Sequence, residues 1–365
     1  MIEIKIPREV IRGPKAMEQF FYNLYSLRNA PGNLKEWYLD GEVTRWFCLE
    51  VVGHAQTTRF FMRIPSRLKS TITSMLYGAY NEIEIIDAED YIYSMPPTYS
   101  DLVKAGMELF GMVLHLRNKS PNPMRTYDDF EDQLGEERTI DPISVILEIV
   151  GNLKPEETLW LQILIAPAGD GWRKEGHAIV DTMKRKGQVD LKAAAAGGKF
   201  TPRSPGEDLD MKNIEEKISK PGFDTIIRYI YIAPKAIYNK ELPERGVYAA
   251  FNQMASGLNQ FRKNQKIQTK TAWFNWPYFW PRIRMWHRRF KVYEEYRQRF
   301  FNEDTFIGQL DHSTFFRLNF YHKRSVLSTA ELATMFHPPT NVVMTSVTMD
   351  RVESKRLSPP ANLPG

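Results

Sequence analysis

Two stretches, 158–166 and 223–233, are apolar along nearly their whole length, and the second is dense in isoleucine (Ile226, Ile227, Ile230 and Ile232). Apolar runs of this length, flanked by polar segments, read as strands. A helix precedes the pair, opened by Asp141-Pro142 and running through Leu153, with Ile143, Ile146, Leu147 and Val150 facing inward. A second helix follows, from about 243 to 261. The order is helix, strand, strand, helix.

A related order stands earlier in the chain. Met17, Phe20, Phe21, Leu24 and Leu27 recur at helical spacing, with Pro14 near the start. Strands are predicted over 44–52 and 58–64, joined by the short connection 53–56. Pro65-Ser66 then opens a helix with Leu68, Ile72, Met75, Leu76 and Ala79 on one face, with Ser66 as its N-cap. The alternation of 82–87 signals a half-buried strand, and 109–116 adds another. The fold class expected is α+β: two related α/β sandwich modules, ferredoxin-like, with helices on one face of small, mainly antiparallel sheets. The second module carries an insertion from about 169 to 220. A helix is predicted at 172–186 and a short charged one at 209–219. Between them lies a segment rich in Ala and Gly, then Pro, Ser and Gly. It holds too little apolar surface to offset the entropy of ordering, so 187–210 is expected to be mobile.

Composition narrows function by exclusion. At 365 residues, with 42% hydrophobic and 25% charged, the chain has material for two folded cores. A net charge of +5 permits acidic partners without demanding them. One cysteine, Cys48, rules out an internal disulfide, suits a reducing compartment and reads as a buried inert thiol. No apolar run approaches the roughly 18 residues of a membrane span, and the N-terminus lacks a signal peptide's apolar core. A phosphate-binding loop needs Gly-x-x-x-x-Gly-Lys-[Ser/Thr]. Gly198-Lys199 is followed by Phe200 and has Ala193 five positions before the glycine, so it does not qualify. The acidic cluster 128–132 lacks an EF-hand's spacing and glycine. Neither His-Glu-x-x-His nor Gly-x-Ser-x-Gly occurs. No catalytic, cofactor-binding or metal-ligating residue is assigned, and the chain alone is not expected to be an enzyme.

Near the C-terminus stands Leu327-Ser328-Thr329-Ala330-Glu331-Leu332-Ala333-Thr334-Met335-Phe336-His337-Pro338-Pro339, followed by Arg351-Val352-Glu353-Ser354 and a Pro-rich tail, 359–365. This resembles the segment just ahead of the nucleotide-binding core in VirB4/TraG-like and HerA/FtsK-like DNA-transfer ATPases. Met17-Glu18-Gln19, Arg125-Thr126-Tyr127, Ile140-Asp141-Pro142 and the run 160–165 are similar to pieces of the same secretion-linked proteins. The resemblance implies a region that precedes a hexameric motor, with no catalytic residue of its own. It further implies that the 328–336 helix couples this region to a motor, through Glu331 (exposed), Leu332 and Phe336 (packed) and His337.

One segment fits no pattern of that family. Trp273, Trp276, Trp280 and Trp286 are interleaved with Phe274, Tyr278, Phe279 and Phe290. Arg282, Arg284, Arg288, Arg289, Lys291, Arg297 and Arg299 follow, against Glu294 and Glu295, and Pro281 fits the first position of a helix to about Phe301. Three readings stand. The aromatics pack inward under a solvated cationic face; the arginines and aromatics bind nucleic acid; or the helix lies on a membrane surface. Trp273, Trp276, Trp280, Arg282, Arg284, Arg288, Arg289 and Lys291 are the candidate contacts.

The expected organisation is a first module (1–125), a second (126–270), a Trp/Arg-rich helical segment (271–326) and a lead-in to a motor (327–365). The function expected is assembly and docking within a conjugation- or type IV secretion-like DNA-transfer ATPase. Its partners would be further copies of itself or a motor domain, DNA, and membrane or secretion-complex components. Its place would be the cytoplasm, at the inner face of the cell membrane. The alternative is a stand-alone nucleic-acid or membrane-surface binding protein that works through the Trp/Arg helix.

Overall fold

In a computed structural model, residues 1–7, 10, 12–29, 45–131, 141–195, 204–265, 267–269, 280–301 and 323–340 are described, with side chains of the 141–195 stretch followed to 185. The Arg351-Val352-Glu353-Ser354 strand and the Pro-rich tail lie outside these residues, as does the middle of the insertion expected to be mobile, 196–203; the flanks of that insertion, 187–195 and 205–210, are helical rather than irregular.

The strands of both halves belong to one open antiparallel sheet. Its order is β4-β1-β3-β2-β6-β7-β5-β8, with β9 paired to β7. The strands are β1 (Ile2–Lys5), β2 (Phe47–His54), β3 (Thr57–Arg63), β4 (Glu84–Asp87), β5 (Met107–Leu116), β6 (Thr158–Pro167), β7 (Gly222–Pro234), β8 (Phe261–Lys263) and β9 (Ser325–Ser328). The α+β class holds, but the two separate sandwiches do not. β2 and β6 pair along eight residues, from Phe47 opposite Ile165 to His54 opposite Thr158, and fuse the halves. Each half follows the same path: its first strand lies between its third and fourth, and its second strand lies at the join.

The near-continuous apolar character of β6 and β7 follows from this position. Both are central and covered on both faces, so alternation with polar residues is lost. At one rim, β4 reads Glu-Ile-Ile-Asp and leaves its two charged ends exposed, which discourages edge pairing with another chain.

One face of the sheet carries α1 (Pro14–Tyr25), α2 (Lys69–Ala79), α5 (Ser144–Gly151), α8 (Tyr248–Asn252) and α10 (Thr329–Met335), all packed into one core with Leu49, Leu161, Ile227 and Met112. The other face carries α3 (Tyr99–Lys104), a 3-10 turn (Tyr91–Ser94) and α9 (Pro281–Gln298), packed on Val52, Trp160, Leu164 and Ile230. Short α4 (Tyr127–Glu131) abuts α10. Each fully buried aliphatic or aromatic side chain contributes about 1.5–3 kcal/mol.

Several boundaries depart from expectation. Ser66 is not the N-cap of α2; it opens a 3-10 turn (Ser66–Leu68), and α2 begins at Lys69 without a side-chain cap. The helix expected over 243–261 is a π-helical turn (Leu242–Val247) followed by α8, and it stops at Asn252 because Phe261 opens β8. The first insertion helix, α6 (Gly171–Ala195), runs well past 186. The second, α7 (Pro205–Ser219), begins four residues earlier than expected, where the Ser204 hydroxyl and Glu207 carboxylate form a reciprocal capping box.

α9 sits close to the sheet because β5 has Gly111 beneath it. A Cβ at Gly111 would lie 2.5 Å from Val292 Cγ1 and 3.4 Å from Ile230 Cγ2. Gly111→Ala is therefore expected to destabilise the fold by about 1–3 kcal/mol through overpacking. Urea unfolding measures this, and adding Val292→Ala should restore part of the loss; an unchanged midpoint for Gly111→Ala would contradict the close seat of α9.

Candidate functional site

α9 begins where Trp280 takes a left-handed backbone (φ 42°) and Pro281 occupies the first helical turn. Its second half is the anchor: Val292, Tyr293, Glu295 and Tyr296 are buried. Its first half is the exposed part. Trp280 is 64% exposed, Ile283 63% and Trp286 46%. Trp286 stacks on Phe290 at 5.5 Å and meets the edge of Tyr99 at 6.0 Å.

The cations divide into two sets. Arg289 pairs with Glu108 on β5. Arg288 donates to the backbone carbonyls of Gln265 (3.3 Å) and Gln268 (3.2 Å), and burial, with Arg284 nearby, pulls its guanidinium down to about 10. These two arginines are therefore structural. Arg282 is exposed, and Arg284 and Lys291 are half-buried. Burial, with Lys291 beside it, holds the His287 imidazole below its ordinary value. Trp273 and Trp276 lie outside the described residues. Of the three readings of this helix, inward packing describes its second half and not its first.

What fixes α9 is a polar cluster in the centre of the sheet. Arg299, in left-handed backbone (φ 51°) at the helix end, donates to Glu50 (Nε–Oε1 2.7 Å, Nη2–Oε2 3.0 Å) and to Asp90 (2.7 and 2.8 Å). Burial alone would weaken its charge, but Asp90 and Glu50 outweigh that and hold the guanidinium above its ordinary value. Gln162 donates to Glu50 (2.7 Å), Arg228 Nε donates to Gln162 (2.5 Å), and Arg228 Nη2 donates to the Phe300 carbonyl (2.7 Å). Cys48 donates its thiol to Glu50 at 3.0 Å, and burial pushes that thiol well up, so it is an inert buried cysteine. Sequence reasoning missed this cluster. Its signal was a hydrogen-bonding or charged residue set inside the apolar middle of each of three strands: Glu50, Gln162 and Arg228.

On the opposite face, the motif that carries the resemblance is buried within the chain's own core. Leu332 and Phe336 are packed as expected, with Phe336 edge-on to Phe60 at 5.8 Å. Glu331 is not exposed. It completes a capping box with Ser328, accepts from the Met124 amide (2.9 Å), and pairs with buried Lys217 of α7 (2.9 Å). A capping glutamate folds back along its own helix, and here that side is covered by α7 and by the 124–126 backbone. Burial pulls the Lys217 ammonium below the ordinary lysine value, and Glu331 opposes that pull. His337 is fully buried between the Ala333 carbonyl (2.7 Å) and Asp141 (2.8 Å). Thr329 donates to Glu18 of α1 (3.1 Å), which also accepts from Tyr127 and pairs with Lys220 (3.3 Å). A cleft of about 280 Å³ opens beside these pairs, lined by Arg125, Asp128, Asn213, Lys217 and Lys220 among others. The lysines at the C-terminal end of α7 that reach it are already engaged, Lys217 by Glu331 and Lys220, its C-cap, by Glu18 and Glu216.

Among the described residues, no group of three or more His, Cys, Asp or Glu is arranged to hold a metal. No described helix is long and apolar enough to cross a membrane. No family model and no curated protein matches the chain.

Removing one partner of a buried pair strands the other charge, at about 3–5 kcal/mol. Lys217→Met is expected to destabilise by that amount in urea unfolding, and the Lys217→Met/Glu331→Leu double variant by much less than the sum of the singles. An additive pair would contradict the coupling. For Asp141, burial alone would raise the carboxyl, but the neighbouring His337 and the Thr340 and Ile143 amides hold it below its ordinary value. A carboxyl lowered by folding contributes stability above its unfolded value, near 3.9, and loses it as pH falls through the folded value. Asp141→Asn should therefore lower stability at pH 7 and flatten the acid limb of a stability-against-pH curve below about pH 4.

Proposed function

We propose that this chain is a non-catalytic assembly and docking region of a conjugation- or type IV secretion-type DNA-transfer ATPase. The observation that carries the docking reading is the first half of α9. It presents three large apolar side chains to solvent among cations, while its second half is locked to the sheet by Arg299 with Glu50 and Asp90. A rigid helix with an unburied aromatic face is built to meet something else.

The motor context rests on the resemblance of 327–337, and the setting of that motif supports it. α10 is tied to α1, α4 and α7 through Thr329–Glu18, the 124–127 amides and Glu331–Lys217. A segment held at so many points is a stiff mount, from which position passes to whatever it carries. The two halves of the sheet, alike in strand path, are read here as two copies of one ferredoxin-like design joined edge to edge.

The purified chain is expected to hydrolyse no nucleoside triphosphate, and the same or an adjoining reading frame is expected to encode Gly-x-x-x-x-Gly-Lys-[Ser/Thr]. Turnover by the contaminant-free chain, or neighbouring frames without such a loop, would overturn the proposal.

A further inference from the structure

We infer that the exposed face of α9 docks on a lipid bilayer surface that carries anionic headgroups. The inference deepens the docking reading above and rests on it. Among the described residues, the large hydrophobic side chains more than 45% exposed are Tyr93, Leu209, Trp280, Ile283 and Trp286. Three of the five stand at the start of α9: Trp280 is its N-cap, and Ile283 and Trp286 are in its first two turns. A fourth, Tyr93, is in the 3-10 turn held to the far end of α9 by the Arg297 guanidinium on the Ile92 carbonyl (2.5 Å). Among the described residues, the most exposed large apolar side chains other than Leu209 thus lie on α9 or on the turn packed against it, on one face of the sheet.

Charge and side-chain type select the occupant. No acidic residue occurs in α9 before Glu294, while Arg282, Arg284 and Lys291 flank the aromatic stripe. An anionic surface is the complement. A nucleic acid would use the tryptophans for stacking, but it offers nothing to Ile283, which is 63% exposed between them. A bilayer uses every exposed member. Indole rings favour the headgroup boundary, an aliphatic side chain enters the acyl edge, and arginine and lysine heads reach phosphates while their stems lie along apolar surface. Because the buried half of α9 is pinned to the sheet, the helix does not insert; it rests on the surface with the molecule behind it.

The test is co-sedimentation of the full chain with vesicles of phosphatidylcholine containing phosphatidylglycerol, with phosphatidylcholine alone, and with short single- and double-stranded DNA in parallel. Binding is expected only to the anionic vesicles, weakening as salt rises. Ile283→Ser/Trp286→Ser and, separately, Arg282→Gln/Arg284→Gln should each lower the partition coefficient by about tenfold. Circular dichroism should show the fold retained, while the urea midpoint falls modestly because Trp286 also packs on Phe290 and Tyr99 and Arg284 is half-buried; binding is therefore compared under conditions where every variant is folded. No sedimentation with anionic vesicles at low salt, binding indifferent to both variants, or DNA bound more tightly than vesicles through Ile283 and Trp286 would each overturn the inference. Those outcomes leave the nucleotide-turnover and reading-frame results untouched, so the two proposals fail separately.

Discussion

The pairing of β2 with β6 is the constraint from which the rest of the architecture follows. Each half of the chain leaves its second strand at an edge, and an apolar strand edge in water is a liability. Joining the edges removes it and places Glu50 opposite Gln162 in the middle of the sheet. Three buried polar strand residues (Glu50, Gln162 and Arg228) then meet on one face, where apolar packing alone cannot satisfy them. They are answered by Arg299 and by the Phe300 carbonyl at the end of α9, and by Asp90 beyond it. The join between the halves thereby dictates where α9 ends and which of its residues remain outside.

The opposite face solves a similar problem with separate pairs. Glu18, Asp141 and Glu331 are buried carboxylates, met by Lys220, His337 and Lys217 respectively. Every one of these pairs joins segments far apart in sequence, and two of them hold α10 and its end. Such pairs are weak sources of net stability but strong arbiters of arrangement, since a wrong packing would leave a charge alone in the core. They make α10 part of the folded body, and they draw the insertion helix α7 into the same unit.

Much of this was legible from the residues. Helix periodicity located α1, α2 and α5, and alternation located β4; the apolar runs marked β6 and β7, and Pro281 marked the start of α9. The recurrence of one element order was visible too. What was not visible was that the two halves share a sheet, because strand partners are chosen by long-range packing. Glu331 was misjudged for a related reason. A glutamate at the third position of a helix is a capping residue by local rules, and nothing local says that a lysine more than a hundred residues earlier will cover it.

The sequence by itself determined the α+β class, the element periodicities, the absence of a phosphate-binding loop from these 365 residues, and the clustering of aromatics and arginines around 273–299. Those properties are written in spacing and composition, which act over one or two turns of chain. Only the tertiary structure decided that two strand edges merge, that half-buried Arg288 and Arg289 bond to the chain itself while Ile283 and two tryptophans stay out, and that the motif at 327–337 is buried. Burial is a property of neighbours, and neighbours that lie a hundred or more residues away are set by the packing of the whole.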